Sequence, residues 1–535
     1  MKEGSQWRKW NFHVHTKGTN KNDQFSSPTM ENFFCAFYKA AYEAQVSAIG
    51  ITDCFSIEKY VEAIEYRRNI SNKIDSIGNK LFNESEVEFI NSIFIFPNVE
   101  LRMLPSTDSA KLVNIHCLFN PDFVIDLEND FFSHVENQDG YKMNRYGITS
   151  YGKFLDSTIP EEHRQYAKGI ENFVINLEAL NKLISKKRFR DNTLFVVSNS
   201  SNDGASGIQK HYKSFENEGG SLVGLRRSIY KISDAIFSAN ERDIKYFVGK
   251  KSLGKANYDY ATYKREVEEV INNQGSLKPC LVGCDAHKEE ELFKKFTWVK
   301  ADLNFEGLRQ ICFEPEYRVK VQANQPDFKE EKLLIEKVKF ISPNNVFSSE
   351  PIFLNPNLNV IIGGKSSGKS ILLYAIAKTL SADSSVLKKG DDSYKYALNE
   401  IERGFDFEIT TKGGFSQRLN RAEGENSILP EIKYIPQGYL VKLAEPELNK
   451  TGESLNKIVR DLIIEDDSSK DSYQAFLGKV TQGDKVRNSQ IDFYFETRKE
   501  IEELEQDLKT KSKKDVLVNN IESKYPLVNS LCYGD

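Results

Sequence analysis

Residues 363–370 read GGKSSGKS, which satisfies every position of the phosphate-loop pattern G-x-x-x-x-G-K-[ST]. The apolar run over residues 358–362 predicts a strand before the loop, and the run over residues 371–380 predicts a helix after it. In this setting glycine backbone N–H groups close around phosphate oxygens, and the helix N-terminus adds a favourable dipole. A Gly/Ser loop without a ligand is the alternative, but the complete motif favours a nucleotide site.

The loop predicts that the chain binds ATP or GTP together with Mg²⁺. Lys369 and Ser370 are the side chains expected to reach the terminal phosphates and the Mg²⁺ ion. The residues expected to contact the nucleotide are Gly363, Gly364, Ser366, Gly368, Lys369, Ser370 and Ile371.

Composition argues against several classes of protein. With 39% hydrophobic and 28% charged residues, the 535-residue chain resembles an ordinary globular protein of several domains. It has neither an apolar signal region at its start nor the roughly 20 continuous apolar residues of a membrane span, so we expect a cytoplasmic protein without membrane contact. Seven scattered cysteines without CxxC spacing argue against a disulfide framework or a structural zinc site. A net charge of −5 is unlike that of a dedicated nucleic-acid binder.

Strand and helix patterns alternate up to about residue 320. Short apolar runs at residues 48–52, 93–96, 112–115, 194–198 and 281–283 predict strands, with helical patterns such as 30–44 between them. This alternation predicts a parallel β/α architecture. Residues 321–331 read as a linker, a second unit extends over residues 332–484, and residues 485–535 are helical with apolar spacing suited to the start of a coiled coil. A single exposed helix is the alternative for that last segment.

Acidic and imidazole side chains occur at or just after five predicted strands. His13 and His15 form HVHT, Asp53 ends SAIGITD, and Glu100 follows FIFPNV. His116 follows KLVNI, and Asp285 and His287 form GCDAH after CLV. Because this face of a β/α fold carries the active site, and because the chain has only seven histidines, the pattern predicts a metal centre.

These motifs resemble those of the PHP (polymerase and histidinol phosphatase) family over about residues 8–320. HVHT is similar to the family's HxH motif, ITDC to its TDH motif, PNVE to its G-x-E motif and GCDAH to its D-x-H motif. The resemblance implies a distorted β/α barrel of seven strands with up to three metal ions. By carry-over, His13, His15, Glu100 and Asp285 would hold a first ion, Glu100 and His116 a second, and His287 would belong to a third.

The chain departs from the family pattern at three places. Cys54 stands where the TDH histidine is expected, and no histidine follows HVHT within HTKGTNKNDQF. The histidine expected downstream of His116 has no match in FVVSNSSNDGASG, where Asn199 or Asp203 could substitute, with His211 a more distant candidate. The first metal site is therefore expected intact, and the second only in part.

The resemblance implies metal-assisted hydrolysis of a phosphoester. Two Mn²⁺, Zn²⁺ or Fe²⁺ ions about 4 Å apart would activate water and stabilise the attacking and leaving oxygens. The candidate catalytic residues are Asp285, His287, Asp53 and Arg102. Arg102 could bind a substrate phosphate in a bidentate manner, or it could form a structural ion pair.

The second unit resembles the N-terminal part of an ABC or SMC-like ATPase. Gln437 in YIPQG matches the Q-loop of those proteins, which senses Mg²⁺ and the γ-phosphate, whereas no Walker B carboxylate motif follows Ser370. We therefore expect an N-terminal portion of a longer ATPase, or one half of a split one. Together with residues 296–319, this arrangement resembles bacterial PHP–ATPase fusions of the TrlF/Ppl type, which implies a role in anti-phage defence.

Three functional hypotheses follow. The first is an ATP-regulated, metal-dependent nuclease, acting on DNA rather than RNA and forming a homo-oligomer through the ATPase lobe. The second is a phosphatase for nucleotides or other small molecules, also gated by ATP. The third is a degenerate, non-enzymatic barrel that serves as a nucleotide-sensing platform.

Overall fold

The computed structural model describes residues 5–107, 109–208, 221–255, 258–381, 387, 395–421, 427–429, 432–435, 459–460, 463–464, 467–510 and 514–532. Its strands are β1 (Gln6–Val14), β2 (Val46–Cys54), β3 (Phe94–Ser106), β4 (Leu112–Phe119), β5 (Thr193–Ser198), β6 (Ala235–Phe237), β7 (Cys280–Leu281), β8 (Thr297–Ala301), β9 (Val319–Lys320), β10 (Ile335–Ile341), β11 (Ile352–Phe353), β12 (Asp406–Thr411) and β13 (Ser416–Arg418).

The α-helices in the described residues are α1 (Met30–Ala44), α2 (Glu58–Arg68), α3 (Glu84–Ser92), α4 (Arg145–Leu155), α5 (Glu162–Asn172), α6 (Leu177–Ile184), α7 (Lys187–Asn192), α8 (Ser221–Ile232), α9 (Glu241–Phe247), α10 (Tyr260–Gln274), α11 (Phe305–Gln310), α12 (Pro315–Arg318), α13 (Lys369–Leu380), α14 (Asp467–Thr510) and α15 (Lys514–Cys532). Among the described residues, none of these helices combines the length and apolarity needed to cross a membrane.

A nine-stranded sheet with the order β7-β6-β5-β4-β3-β2-β1-β8-β9 forms the first part of the chain. Strands β1 to β3 run parallel to one another, as do β5 to β7, whereas β4 is antiparallel to both β3 and β5. The expected parallel architecture is therefore wrong at β4, and also at β8 and β9, since β8 is antiparallel to β1 and β9 is antiparallel to β8. Only residues 107–111 join β3 to β4, which is too short for the crossover of a dozen or more residues that a parallel pair requires.

The sheet curves into a nearly closed barrel that fits the β/α barrel implied by the resemblance. Its interior holds buried apolar side chains from β1 to β8, including Trp10, Phe12, Phe96 and Val196. The segment after β7 contacts β1, and this contact is called the seam: the backbone N–H of Asp285 donates to the carbonyl of His13 at 2.8 Å. Barrel closure thus brings together segments from the two ends of the barrel sequence.

A bulge in β1 changes the direction of its side chains before the strand ends. Trp10 and Phe12 face the barrel interior, but Val14 packs in the outer cluster that contains α1 residues. The register with β2 shifts between Asn11 and Val14, which is how a bulge redirects the following side chains. By alternation, His13 and His15 then lie on the face opposite to Val14.

The chain divides into two compact units. One comprises residues 1–362 and 401–423, and it includes a four-stranded antiparallel sheet with the order β11-β10-β12-β13. The other comprises residues 363–400 and 424–535, with α13, α14 and α15. Residues 321–330 contain neither helix nor strand. The domain boundaries at residues 320, 331 and 484 stay predictions.

Two expectations for the second half of the chain have different outcomes. The helix predicted over residues 371–380 is part of α13, whereas the run over residues 358–362 is not a strand. A strand requires hydrogen-bond partners for its backbone groups, and this run pairs with no strand among the described residues. Its side chains are also unburied: Leu358, Val360 and Ile362 are 78%, 74% and 87% exposed. Helices α14 and α15 lie against each other and are joined by an ion pair between Glu500 and Lys524. A coiled coil stays a prediction.

Candidate metal centre

Four side chains meet at the barrel mouth: His13 from β1, His15 directly after it, Glu100 from β3 and Asp285 from the segment after β7. The Nε2 atoms of His13 and His15 lie 3.1 Å apart, and Asp285 Oδ1 is 3.2 Å from the first and 3.5 Å from the second. Glu100 Oε2 lies 3.9 Å from His13 Nε2 and 3.8 Å from His15 Nε2. These are the four residues expected to hold a first ion.

His287 extends this cluster outward. Its ring stacks on His15 with centroids 4.4 Å apart, and its Nε2 lies 3.7 Å from Asp285 Oδ1. His15, Asp285 and His287 therefore form a second group with the spacing of metal ligands. The Asp285 side chain is 62% exposed, whereas His15 is buried, so the cluster opens to solvent on the Asp285 side.

His116 is buried behind His13, with ring centroids 4.7 Å apart. Its Nδ1 faces Asn98 Oδ1 at 3.0 Å, and the Asn98 amide nitrogen donates to the carbonyl of Phe12. Because a carbonyl only accepts, the amide orientation is fixed and His116 Nδ1 must be the donor. The Nε2 atom of His116 then carries the lone pair, as a metal ligand requires. His116 nevertheless lies outside both groups with ligand spacing among the described residues.

A hydrogen-bonded chain behind His15 fixes that imidazole in the same way. The Thr19 hydroxyl donates to Asp53 Oδ1 at 3.1 Å and accepts from His15 Nδ1 at 3.1 Å. The carboxylate of Asp53 also accepts from the backbone N–H groups of Asn20 and Cys54. Asp53, predicted as a catalytic residue, thus lies behind a candidate ligand, and burial raises its pKa to about 6.

The charges of the cluster suit a divalent cation. Burial raises the pKa of Asp285, but His13, His15 and His287 outweigh this effect and hold the pKa well below its usual range. Burial lowers the pKa of His13. For His15, the hydrogen bond to Asp285 and the charge of Glu100 outweigh the effect of burial, so the pKa is raised overall. Imidazole nitrogens and carboxylate oxygens facing one centre are donors that Mn²⁺, Zn²⁺ and Fe²⁺ accept. The residues present therefore fit the predicted metal.

Arg102 does not present its guanidinium to the metal cluster. Its Nη1 donates to the carbonyl of Glu171 at 3.0 Å and its Nη2 donates to the carbonyl of Ile170, both at the C-terminal end of α5. Its guanidinium also lies over the Phe55 ring. A bidentate phosphate clamp would need these same nitrogens, so the predicted clamp is corrected to a structural tie between β3 and α5.

The substitutes considered for the missing family histidines lie elsewhere. Cys54 is buried in the apolar core, and burial raises its thiol pKa well above the usual value. Asn199 donates to Asp243 Oδ2 at 2.8 Å, and Asp203 accepts from Ser200. His211 lies outside the described residues. None of the first three belongs to a group with ligand spacing in the described part of the chain.

The phosphate loop leads directly into α13, which begins at Lys369. Gly368 caps the helix with φ = 84°, a conformation that glycine adopts without strain. Lys369 Nζ donates to the carbonyls of Gly363 at 2.8 Å and Gly364 at 2.6 Å, so it lies over the loop. Ser370 is exposed at the helix start, and Ile371 is half-buried. The predicted nucleotide ligand Gln437 lies outside the described residues.

Two supporting residues, Thr19 and Asn98, were not predicted from the sequence. Asn98 lies two positions before Glu100, and Thr19 four positions after His15. Polar residues at such places are common in loops and strand ends, so only the hydrogen bonds reveal their role.

Comparison with known proteins gives little further information. No protein-family model matches the chain, and no curated protein does. A crystal structure from Bifidobacterium adolescentis described as a "putative metal-dependent phosphoesterase" is similar to 52% of this chain and 87% of its own, with 9% identity and a TM-score of 0.20. At this identity and TM-score the likeness carries no conclusion about the function of this chain.

Proposed function

We propose that the chain is a metal-dependent phosphoesterase with its centre at the barrel mouth. The observation that carries the proposal is that His13, His15 and Glu100 form one group with ligand spacing, and His15, Asp285 and His287 form a second that shares His15. Two imidazole nitrogens 3.1 Å apart, with a carboxylate oxygen 3.2 Å from one and 3.5 Å from the other, are donors that one divalent ion could bind together.

The protein's own groups orient the donors and leave one side open. When bound, divalent ions would supply polarisation of phosphoryl oxygens and a lowered pKa of bound water. Thr19 fixes the tautomer of His15, and Asn98 fixes that of His116. Asp285 is exposed at the mouth while Glu100 is buried on the floor, so a phosphoester would approach from the Asp285 side.

The proposal extends to the substrate and its control. We propose that the substrate is nucleic acid, DNA rather than RNA, and that nucleotide binding at the phosphate loop, in a homo-oligomer, regulates cleavage. The presence of a phosphate loop in the same chain supports this, and a role in anti-phage defence rests on the resemblance to TrlF/Ppl-type fusions alone.

The test is hydrolysis of labelled DNA, RNA and free nucleotides with Mn²⁺, Zn²⁺ or Fe²⁺, together with metal analysis of the purified protein. We expect at least one ion per chain and divalent-dependent DNA cleavage that His13→Ala and Asp285→Ala each abolish. His163→Ala, which removes an exposed histidine, should cleave as the wild type does.

Three other outcomes are decisive. Undiminished cleavage by His13→Ala and Asp285→Ala would reject the site. Hydrolysis of free nucleotides without cleavage of DNA or RNA would favour the small-molecule phosphatase over the nuclease. Less than one ion per chain and no hydrolysis would support a non-enzymatic platform.

A further inference from the structure

A pocket of about 510 Å³ with an excess of positive charge is lined by Asn20, which donates to Asp53, and by Arg102, which follows Glu100 in β3. Its charged lining residues are Lys21, Arg102, Arg164, Lys168 and Glu171. Four cations thus face one carboxylate, in a chain whose net charge is −5. Such a local reversal of sign favours an anionic ligand.

The pocket and the metal cluster share their walls. Asn20 lines the pocket and also donates through its backbone N–H and its amide to Asp53, which supports His15 through Thr19. On the other side, Arg102 follows Glu100 by two positions in β3. The two side chains therefore lie on the same face, about 7 Å apart along the strand.

Helix α5 supplies two of the four cations. Arg102 holds the C-terminal carbonyls of α5, and Arg164 and Lys168 lie one turn apart on the same side of that helix. Both cations form ion pairs with exposed acidic neighbours on the same helix or its cap: Arg164 lies 3.4 Å from Glu161, and Lys168 lies 3.8 Å from Glu171. Exposed pairs of this kind contribute little, so both cations can turn to a ligand.

We propose that this pocket binds a second phosphate of the substrate, next to the phosphate that is cleaved at the metal centre. The inference rests on the proposed phosphoesterase function and deepens it, because it assigns the enzyme to substrates that carry at least two phosphates along a phosphodiester chain. Arg164 and Lys168, with Lys21, make the contacts, and Arg102 is a positioning residue for α5.

The test uses dinucleotides that differ by one phosphate. Thymidine dinucleotide with one phosphodiester is compared with the same dinucleotide carrying an added 5′-phosphate or 3′-phosphate, in the wild type and in Arg164→Ala/Lys168→Ala. For the wild type we expect a KM about 10-fold lower for one phosphorylated form. In the double variant that advantage should vanish, with kcat and the KM of the unphosphorylated dinucleotide within twofold of wild type.

Binding is measured in parallel without metal, by fluorescence anisotropy of a labelled 12-residue DNA in EDTA. The double variant should bind it about 10-fold more weakly, and Lys182→Ala, which removes an exposed lysine on α6, should bind as the wild type does. The proposed phosphate pocket would be rejected if the double variant bound the DNA as tightly as the wild type and still showed the lower KM for the phosphorylated dinucleotide. If the wild type cleaves neither the dinucleotides nor labelled DNA, RNA or free nucleotides, the phosphoesterase proposal fails, and the anisotropy result alone decides whether the pocket binds phosphate.

Discussion

At the scale of single residues, the cluster depends on neighbours that hold each imidazole in one tautomer. Thr19 accepts a hydrogen bond from Nδ1 of His15 and donates its own hydroxyl proton to Asp53. Asn98 accepts from His116 in the same way, with its amide anchored to the carbonyl of Phe12. Supporting contacts of this type typically change metal affinity 10- to 100-fold when they are lost.

Thr19→Val is therefore expected to weaken metal binding by about 10- to 100-fold while keeping the fold. Valine has nearly the volume of threonine but can neither accept from His15 nor donate to Asp53. Titration of the apoprotein with Zn²⁺ by calorimetry would measure the loss. Thr19→Ser, which retains the hydroxyl, should keep most of the wild-type affinity for Zn²⁺. Equal Zn²⁺ affinity in the valine and serine variants would contradict the proposed role of the Thr19 hydrogen bonds.

The sequence motifs predicted five candidate ligands that lie together, but they predicted neither the contacts of Arg102 nor the supporting residues Thr19 and Asn98. His13, His15, Glu100, His116, Asp285 and His287 were predicted as ligands. Among the described residues all but His116 belong to groups with ligand spacing, and their metal binding stays a prediction. The motif spacing sufficed because each side chain is scarce and chemically specific. The sequence could not show that the Nη atoms of Arg102 bond to α5, since that contact joins residues 68 and 69 positions apart.

At the scale of elements, the decisive contact is the one between the segment after β7 and β1. Gly283 lies so close to β1 that an added Cβ would be 2.2 Å from the His13 backbone nitrogen and 2.6 Å from its carbonyl oxygen. Because both are backbone atoms, no side-chain rotation can relieve the clash.

Gly283→Ala should accordingly destabilise the fold by about 1–3 kcal/mol and weaken metal binding, since β1 must move at His13. Urea unfolding and a Zn²⁺ titration check the two effects. Gly224→Ala in α8 has open space around the new methyl group, so its stability should be unchanged or raised by up to about 1 kcal/mol. Wild-type stability in Gly283→Ala would show that the seam is looser than the structure indicates.

A buried lysine before β7 gives this part of the barrel a pH dependence. Burial lowers the pKa of Lys278 to about 8, and its Nζ donates to Ser276 and to the carbonyl of Ser233. In the unfolded chain the pKa is near 10.5, so the unfolded state binds more protons between pH 8 and 10.5. Stability should therefore rise with pH in that window, and below pH 8 the full cost of about 3 kcal/mol applies.

Lys278→Met should remove this cost and lose two hydrogen bonds, for a net gain of about 1–2 kcal/mol at pH 7 that shrinks by pH 10. Urea unfolding of both proteins at the two pH values gives the difference directly. Lys182→Met, at an exposed position, should show no such change with pH. A gain of equal size at both pH values would mean that the ammonium group is not the source.

The elements themselves show where sequence patterns succeed. Predicted strands at residues 48–52 and 194–198 lie within β2 and β5, because their apolar runs are buried on both faces. The direction of β4 was missed because an apolar run does not indicate strand direction. The short connection between β3 and β4 does indicate an antiparallel pair. The apolar pattern of residues 358–362 predicts a strand, but the structure has none there, because a sequence pattern does not show whether a pairing strand is present.

At the scale of the whole molecule, two compact units carry two different candidate sites. The metal cluster belongs to the unit of residues 1–362 and 401–423, and the phosphate loop to the other. Regulation of the first by nucleotide at the second is a proposal that needs a variant specific to the loop.

Lys369→Ala should lower ATP affinity by about 10- to 100-fold and remove any effect of ATP on phosphoester hydrolysis, because its ammonium group is the expected partner of the terminal phosphates. Filter binding of labelled ATP and hydrolysis with and without ATP provide the measurements. Lys365→Ala changes a lysine of the same loop that the motif does not require, and it should behave as the wild type. Equal ATP binding by both variants would exclude a nucleotide site of the expected kind.

The distance along the sequence between His13 and Asp285 affects the newly made chain on the ribosome. His13 emerges well before its partners Asp285 and His287, which are synthesised only after nearly the whole barrel. Until translation passes that point, the nascent chain carries the histidine pair, Glu100 and His116 but lacks Asp285 and His287. If the cluster binds a metal ion, its full set of ligands is therefore available only once the barrel sequence is essentially complete.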